Sequence, residues 1–453
     1  MHQGVVSSRF PRPAGRSRPA DFVVLALAAG AALLVPTAAS ARSAAAGGDG
    51  AVVALAPEAA RGSDISWISD GQGEAAYRLI DLLATSDVDG IDSRQFNVRA
   101  LQRSVRRATS DRDQARAADR LLSEAFLRYV KALRALPPSK EWNIVDRGAL
   151  PDAAPASALA MLRDAAANGS LADFVATMPW MHENYAGLRR ALLDAERRGD
   201  RAVAARLKLN LDRVRLLPGA GVHKYVLVNT AAQRLYMVEN GKVVDWMRVV
   251  VGKASMPTPM MAALIRYAAV NPYWNVPADL TAERIAPNAV KEGPAYLRKQ
   301  GYVVLSDWTS DATVVDPTTI DWQAVADGKV QIRVRQNPGP FNAMGRMKFM
   351  FPNNAGVYLH DTPNKDLLLE DARLFSGGCV RLEDAPRLAK WLYGRPLVVT
   401  KGMKPEQHVD LDEPVPVYLA YLTAVPSGEQ TVFYDDIYAQ DQPRLAQAEV
   451  AAR

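Results

Sequence analysis

At Lys224 the spacing of apolar residues changes from a helical period to a strand period, and that switch divides the chain into two kinds of structure. Upstream, from Glu74 to about Pro218, the pattern is helical: Leu121, Leu122, Ala125, Phe126, Tyr129, Val130 and Leu133 fall on one face of a helix. Pro137-Pro138 ends that helix, because proline lacks the N–H that the next turn needs. A further helical stretch runs from about Tyr185 to Leu217, its charge-dense part reading as a solvated face. Downstream, Lys224 to Asn229, Arg234 to Glu239 and Lys242 to Val251 are rich in Val, Leu, Tyr and Met, and Asn240-Gly241 is a strong tight-turn signal. Ile265 to Val270, Val330 to Val334, Met347 to Phe351, Val357 to His360 and Leu397 to Lys401 read as further strands, and Asp384 to Leu392 as a short helix. The expected class is therefore α+β and multidomain: an all-helical domain over 71–218, a mostly β domain over 222–402, and a C-terminal extension over 403–453. Residues from about 280 to 337 mix helix and loop signals and read as a lid-like insertion.

The N-terminus bears on compartment. Arg9, Arg12, Arg16 and Arg18 precede the uncharged apolar run Phe22 to Val35, and small residues follow at Ala39 and Ala41. This layout predicts a signal peptide over 1–41 and an exported protein, with an uncleaved membrane anchor as the alternative. Residues 42–70, rich in Ala, Gly, Ser and Asp, read as a flexible linker. The net charge of +6 suits an anionic partner, although part of it belongs to the leader. No basic block is interleaved with aromatics, which argues against nucleic acid.

Cys379 is the only cysteine in the 453 residues. In an exported chain a thiol with no internal partner is a reactive group, one half of an intermolecular disulfide or a small buried hydrophobe, and the preceding Gly377-Gly378 argue against the last by favouring a sharp turn with open N–H groups. A thiol that attacks acyl carbons needs a base or a cation beside it. Of the mature-chain histidines, His182 falls among predicted helices and His408 in the tail, while His360 ends a predicted strand nineteen positions before Cys379. His360 is the candidate base, a structural core histidine the competing reading. Metal chemistry lacks ligands, since there is one cysteine and no His-x-x-x-His pair. Serine catalysis at Ser376 lacks the Gly-x-Ser-x-Gly elbow. Asp87 to Asp92 superficially resembles a calcium loop, but the ligand positions are incomplete, and a helix-ending turn with Gly90 left-handed is expected instead.

His360-Asp361-Thr362-Pro363, twelve intervening residues, then Ser376-Gly377-Gly378-Cys379-Val380-Arg381 resembles the active-site signature of the L,D-transpeptidase (YkuD-like) catalytic domain. Val251-Gly252-Lys253 with Pro257-Thr258-Pro259, Asn271 to Pro277 and Gly345 to Asn353 extend the resemblance, which is to the large periplasmic branch with an N-terminal helical scaffold. Position 377 is Gly where the family often has His, and no peptidoglycan-binding module intervenes before the first strand. The resemblance implies a periplasmic enzyme without cofactor that acts on peptidoglycan stem peptides through a thioester, forming 3-3 cross-links and releasing D-alanine. It implies Cys379 as nucleophile and His360 as general base and acid. Gly378 and Cys379 N–H groups are the oxyanion candidates, and Arg381 is expected to pair either with a substrate carboxylate or with an acid bracing the turn. Tyr358, Ser376 and Trp274 are candidates to line the groove. L,D-carboxypeptidase activity, attachment of envelope proteins to the wall, and an inactive wall-binding scaffold whose helical half docks an envelope protein stay open as alternatives.

Overall fold

The computed structural model describes residues 65–68, 73–108, 111–135, 139–150, 155–400, 402–443 and 445–446, the side chains of 155–157 excepted. The expected leader, most of the expected linker and Pro137-Pro138 lie outside these. The helical part comprises α1 (Glu74–Ala84), α2 (Val98–Ala108), α3 (Arg112–Ala135), α4 (Pro155–Ala167), α5 (Leu171–Thr177), α6 (Asn184–Arg197) and α7 (Arg201–Val214). On α3 the periodic residues are buried as expected except Leu121, which is exposed. The linker expected to reach residue 70 is anchored before that: Ile65 and Trp67 are buried, and Trp67 donates its backbone N–H to Asp119 (2.8 Å) and its indole N–H to Ser123 (2.9 Å). The acidic Asp87–Asp92 stretch has a structural role. Asp89, fully buried, accepts from Arg189 (2.9 Å), Tyr129 (3.0 Å) and Tyr185 (2.9 Å), while Gly90 turns the chain at φ 81°.

From β2 (Lys224–Asn229) through β3 (Arg234–Glu239), β4 (Lys242–Gly252) and β5 (Met261–Val270), the sheet continues with β10 (Met347–Met350), β11 (Leu359–His360), β13 (Val380–Leu382) and β14 (Gln407–Ala420). β14 pairs with β2 on one side and β5 on the other, so the path β5-β10-β11-β13-β4-β3-β2-β14 closes on itself, with β1 (Asn143–Ile144) beside β5 and β12 (Leu374–Ser376) beside β4. Two expectations are corrected. Residues 397–400 form no strand, and the chain after 403, expected as an extension, supplies the long strand that closes the ring. Asn240 and Gly241 both have positive φ (50° and 73°), the geometry of the expected hairpin turn.

Alternation along the strands explains how the two halves join. Val226, Val228, Val417 and Leu419 point into the ring's own core, whereas Tyr225, Leu227, Tyr418 and Ala420 belong to the core of the helical half. Tyr225 and Tyr418 meet edge to face at 5.7 Å.

The insertion is more ordered than its sequence suggested. It begins earlier, at Trp274, with β6 (Trp274–Val276), β7 (Tyr302–Leu305), β8 (Val314–Val315) and β9 (Arg333–Gln336) forming a separate sheet in the order β6-β9-β7-β8. Helices α8 (Ala286–Glu292), α9 (Pro294–Gln300) and α10 (Trp322–Ala326) pack with it around Val276, Ile285, Leu297, Trp322 and Val334. In the main domain, α11 (Ala385–Tyr393) follows β13, as expected.

Candidate active site

Register places the candidate residues on one surface. β11 pairs parallel with β13, His360 opposite Arg381, and antiparallel with β10, Lys348 opposite His360. Their neighbours Phe349, Leu359 and Val380 are fully buried in the ring's core, so Lys348, His360 and Arg381 form a row on its outer face. One step back, Val380 N–H donates to Tyr358 O (3.1 Å), which sets Cys379 opposite Tyr358 on that same face. His360 and Cys379 are thus diagonal neighbours on adjacent parallel strands, and the thiol lies 3.6 Å from Gly356 O. His182 is buried in the helical core, and His408, expected in a tail, lies on β14 against Tyr267 (4.6 Å).

The turn carrying Cys379 is braced from within and from below. Ser376 Oγ donates to Cys379 O (2.6 Å) and accepts from Gly378 N–H (3.1 Å). Thr258 Oγ1 donates to Gly378 O (2.8 Å) and accepts from Gly252 N–H (2.9 Å). Gly378 has φ 111°, a conformation that side chains rarely tolerate, and a Cβ on Gly252 would collide with Met256 O. Two expected roles change accordingly. Ser376 is buried and holds the turn rather than lining a groove, and Gly378 N–H is occupied by Ser376 Oγ, which removes it as an oxyanion donor. Among the described residues Cys379 N–H has no partner.

The thiol is half-buried, and burial pushes it up to about 11; the backbone N–H and hydroxyl of Tyr358, with Arg381 and Lys348, pull the other way without prevailing. His360 is 2 % exposed, and burial, then the charge of Arg381, lowers it to about 3. Its Nδ1 lies 2.6 Å from Asp361 O. A carbonyl only accepts, so Nδ1 carries the hydrogen and Nε2 keeps its lone pair. The pair at neutral pH is a thiol and a neutral imidazole, suited to proton transfer during attack rather than to a standing ion pair.

Two cations, Arg381 and Lys348, act on the thiol. Lys348 pairs with Glu406 (2.6 Å) and lies 5.9 Å from the Tyr358 ring. Arg381 has no acidic partner among the described residues and a buried Nε without a hydrogen bond, so the turn-bracing salt bridge is absent. The insertion reaches this surface through a π-helical turn, Thr281–Ile285. Leu280 approaches Gly377, Glu283 pairs with Lys253 (3.1 Å), and the charge of Arg284 is felt at Arg381. Trp274, expected in the groove, instead packs on the insertion's own core near Tyr302 (6.4 Å). A cavity of about 660 Å³ lined by Arg346, Thr362, Lys365 and Glu383 opens at the opposite ends of β11 and β13 from Cys379. Among the described residues no cluster of His, Cys, Asp or Glu is arranged to hold a metal ion.

Sequence reasoning missed Lys348, Thr258 and Arg284. Lys348 was findable, since it alternates with the core residues Met347 and Phe349. Thr258 stood inside a recognised stretch without a reason, and Arg284 carried no signal.

Residues 223–417 match the YkuD family, described as the L,D-transpeptidase catalytic domain, and residues 59–192 match the family described as Scaffold domain. A protein of Haemophilus influenzae titled "Putative L,D-transpeptidase" is 34% identical over 247 residues, covering 53% of this chain and 49% of that one. The chain thus spans about half the length of this curated relative. An L,D-transpeptidase structure from Mycobacterium smegmatis shares 15% identity over 44% of this chain and 59% of its own, with a TM-score of 0.22 that is too low to bear on the fold.

Proposed function

We propose that this chain, whose residues 59–192 match the Scaffold domain and 223–417 the L,D-transpeptidase catalytic domain, is a periplasmic peptidoglycan L,D-transpeptidase forming 3-3 cross-links through a thioester on Cys379. The observation that carries the reading is the shared surface of a thiol, a neutral histidine and an unpaired arginine on β11 and β13. As Cys379 Sγ attacks the carbonyl carbon of the L-centre of meso-diaminopimelate in a donor tetrapeptide, His360 Nε2 takes the thiol proton. Cys379 N–H stabilises the oxyanion, a contribution of about 2.7–4 kcal/mol where such a donor has been removed. Collapse breaks the bond to D-alanine, whose amine leaves with the proton from His360. The amine of a second stem's diaminopimelate then attacks the thioester, gives its proton to His360, and the thiol is restored. Arg381 holds a stem carboxylate, for which its planar fork is suited. The cations around the thiol fit the acidic stem peptide, and the apolar leader run fits export.

The test is intact-mass detection of an acyl-enzyme with a purified disaccharide-tetrapeptide, followed by muropeptide analysis of what releases it. A D-alanine-loss adduct on the native protein, absent from Cys379→Ala, and a 3-3 dimer are expected. Free tripeptide as sole product would make it an L,D-carboxypeptidase, and stem peptide on an envelope protein a wall-attachment enzyme. No adduct with either the donor or a carbapenem would leave an inactive wall-binding scaffold.

A further inference from the structure

The Cys379 turn is held at one remove by a residue beyond the matched catalytic domain. Tyr438 Oη donates to Gly252 O (2.9 Å) and lies 3.5 Å from Thr258 N, thus bridging the two ends of the 252–258 loop. Thr258 Oγ1, within that loop, holds Gly378 O, and Gly378 precedes the thiol. Removal of the Tyr438 hydroxyl leaves Gly252 O without this donor and loosens the loop that sets the Gly378 conformation.

The segment presenting Tyr438 is itself firmly placed. Asp436 accepts from Tyr421 Oη (2.7 Å), Gln440 N–H (2.9 Å) and Asp441 N–H (3.0 Å), forming a tight turn in which Ala439 takes a positive φ of 52°. A non-glycine residue keeps such a conformation only when its surroundings over-determine it. Tyr438 N–H donates to Tyr421 Oη (3.0 Å), and the two rings stack at 5.3 Å. Asp441, 2 % exposed, pairs with the fully buried Arg213 of α7 (2.7 Å), which also binds Glu141 (3.0 Å). A continuous series of polar contacts therefore runs from the helical half through residues 436–441 to the turn of the thiol.

We propose that Tyr438 is a positioning residue for the acyl-transfer site, clamping the 252–258 loop so that Thr258 fixes Gly378 and aims the Cys379 N–H at the oxyanion. The inference rests on the function proposed above. It separates two reactions of one thiol: acylation, which needs the aimed N–H, and alkylation by a small electrophile, which does not.

The test compares the full-length protein with Tyr438→Phe and Thr258→Val, and with Thr258→Ser as the conservative partner. Tyr438→Phe should acylate about fivefold more slowly with the disaccharide-tetrapeptide, Thr258→Val more slowly still, and Thr258→Ser near the native rate. Iodoacetamide alkylation at pH 8 should stay within about twofold of native in all of them. Hydrogen exchange at the Gly252 and Gly378 amides should quicken in Tyr438→Phe. Native acylation by Tyr438→Phe, or an equal fall in both reactions, overturns the proposal. Should the native protein form no adduct, the functional reading fails instead, and unchanged exchange at both amides would still refute the clamp.

Discussion

Alkylation of Cys379 by iodoacetamide should be slow at neutral pH and climb with pH well past the range in which free cysteine levels off. With the thiol at about 11, the thiolate fraction at pH 7 is about 10⁻⁴, against about 3% for a free thiol of pKa about 8.5. That is a deficit of about 300-fold. A more basic thiolate is also a better nucleophile; with a Brønsted slope of about 0.45, the difference of about 2.5 units returns about tenfold. The net expectation is about 30-fold slower alkylation than free cysteine at pH 7, rising about tenfold per pH unit up to about pH 10. His360, held at about 3, stays neutral across the whole range and donates no charge to the sulfur. Replacing Tyr358 by Phe removes a hydroxyl that favours the thiolate and should move the curve to higher pH. Stopped alkylation reactions read by intact mass between pH 5 and 10 give the profile, with Cys379→Ala as the blank. A rate that is flat between pH 5 and 8 would mean a standing thiolate–imidazolium pair and would refute the reasoning.

Gly378→Ala should fold at a cost of about 1–3 kcal/mol, because its Cβ meets nothing closer than 3.8 Å while φ 111° is strained, yet acylate about 10²-fold more slowly as the Cys379 N–H is redirected; native acylation would contradict this. Arg189→Ala strips the cation from buried Asp89 and should lower unfolding free energy in urea by about 3–5 kcal/mol, whereas a loss under 1 kcal/mol would show that the two tyrosines suffice. His182 is depressed to about 4 by burial, so from pH 6.5 down to 4 the unfolded chain holds a proton that the folded one lacks, and stability falls as pH drops by up to about 1.4 kcal/mol per pH unit. His182→Phe should flatten that part of the urea-midpoint profile, and identical slopes in both proteins would exclude the histidine as its source.

What the sequence disclosed was whatever depends on local period and short spacing. The change at Lys224, the Asn240-Gly241 turn and the adjacency of the His360 and Cys379 loops are all of that kind. What it concealed depends on distant partners. β14 contains Pro414 and Pro416, which read against a strand; in the fold the register shifts between Asp410 and Val415, and that irregularity accommodates Pro414. Ser376 and Gly378 looked like groove and oxyanion groups because nothing in their spacing says that one bonds the other. Trp274 looked like a groove aromatic because the insertion's private core could not be seen without its sheet. Ile65 and Trp67 lie at the end of a compositionally loose stretch, and it takes the folded α3 to give Trp67 its partners Phe126, Asp119 and Ser123.

The two-faced strands β2 and β14 have a consequence for how the molecule comes apart. Because Tyr225 and Tyr418 serve one core while Val226 and Val417 serve the other, the strands act as a party wall, and neither half can melt without stripping a face from its neighbour. Heating should therefore give one calorimetric transition across helical and β signals alike. Either half expressed alone would present an apolar sheet or helix face to water, and with it a tendency to self-associate.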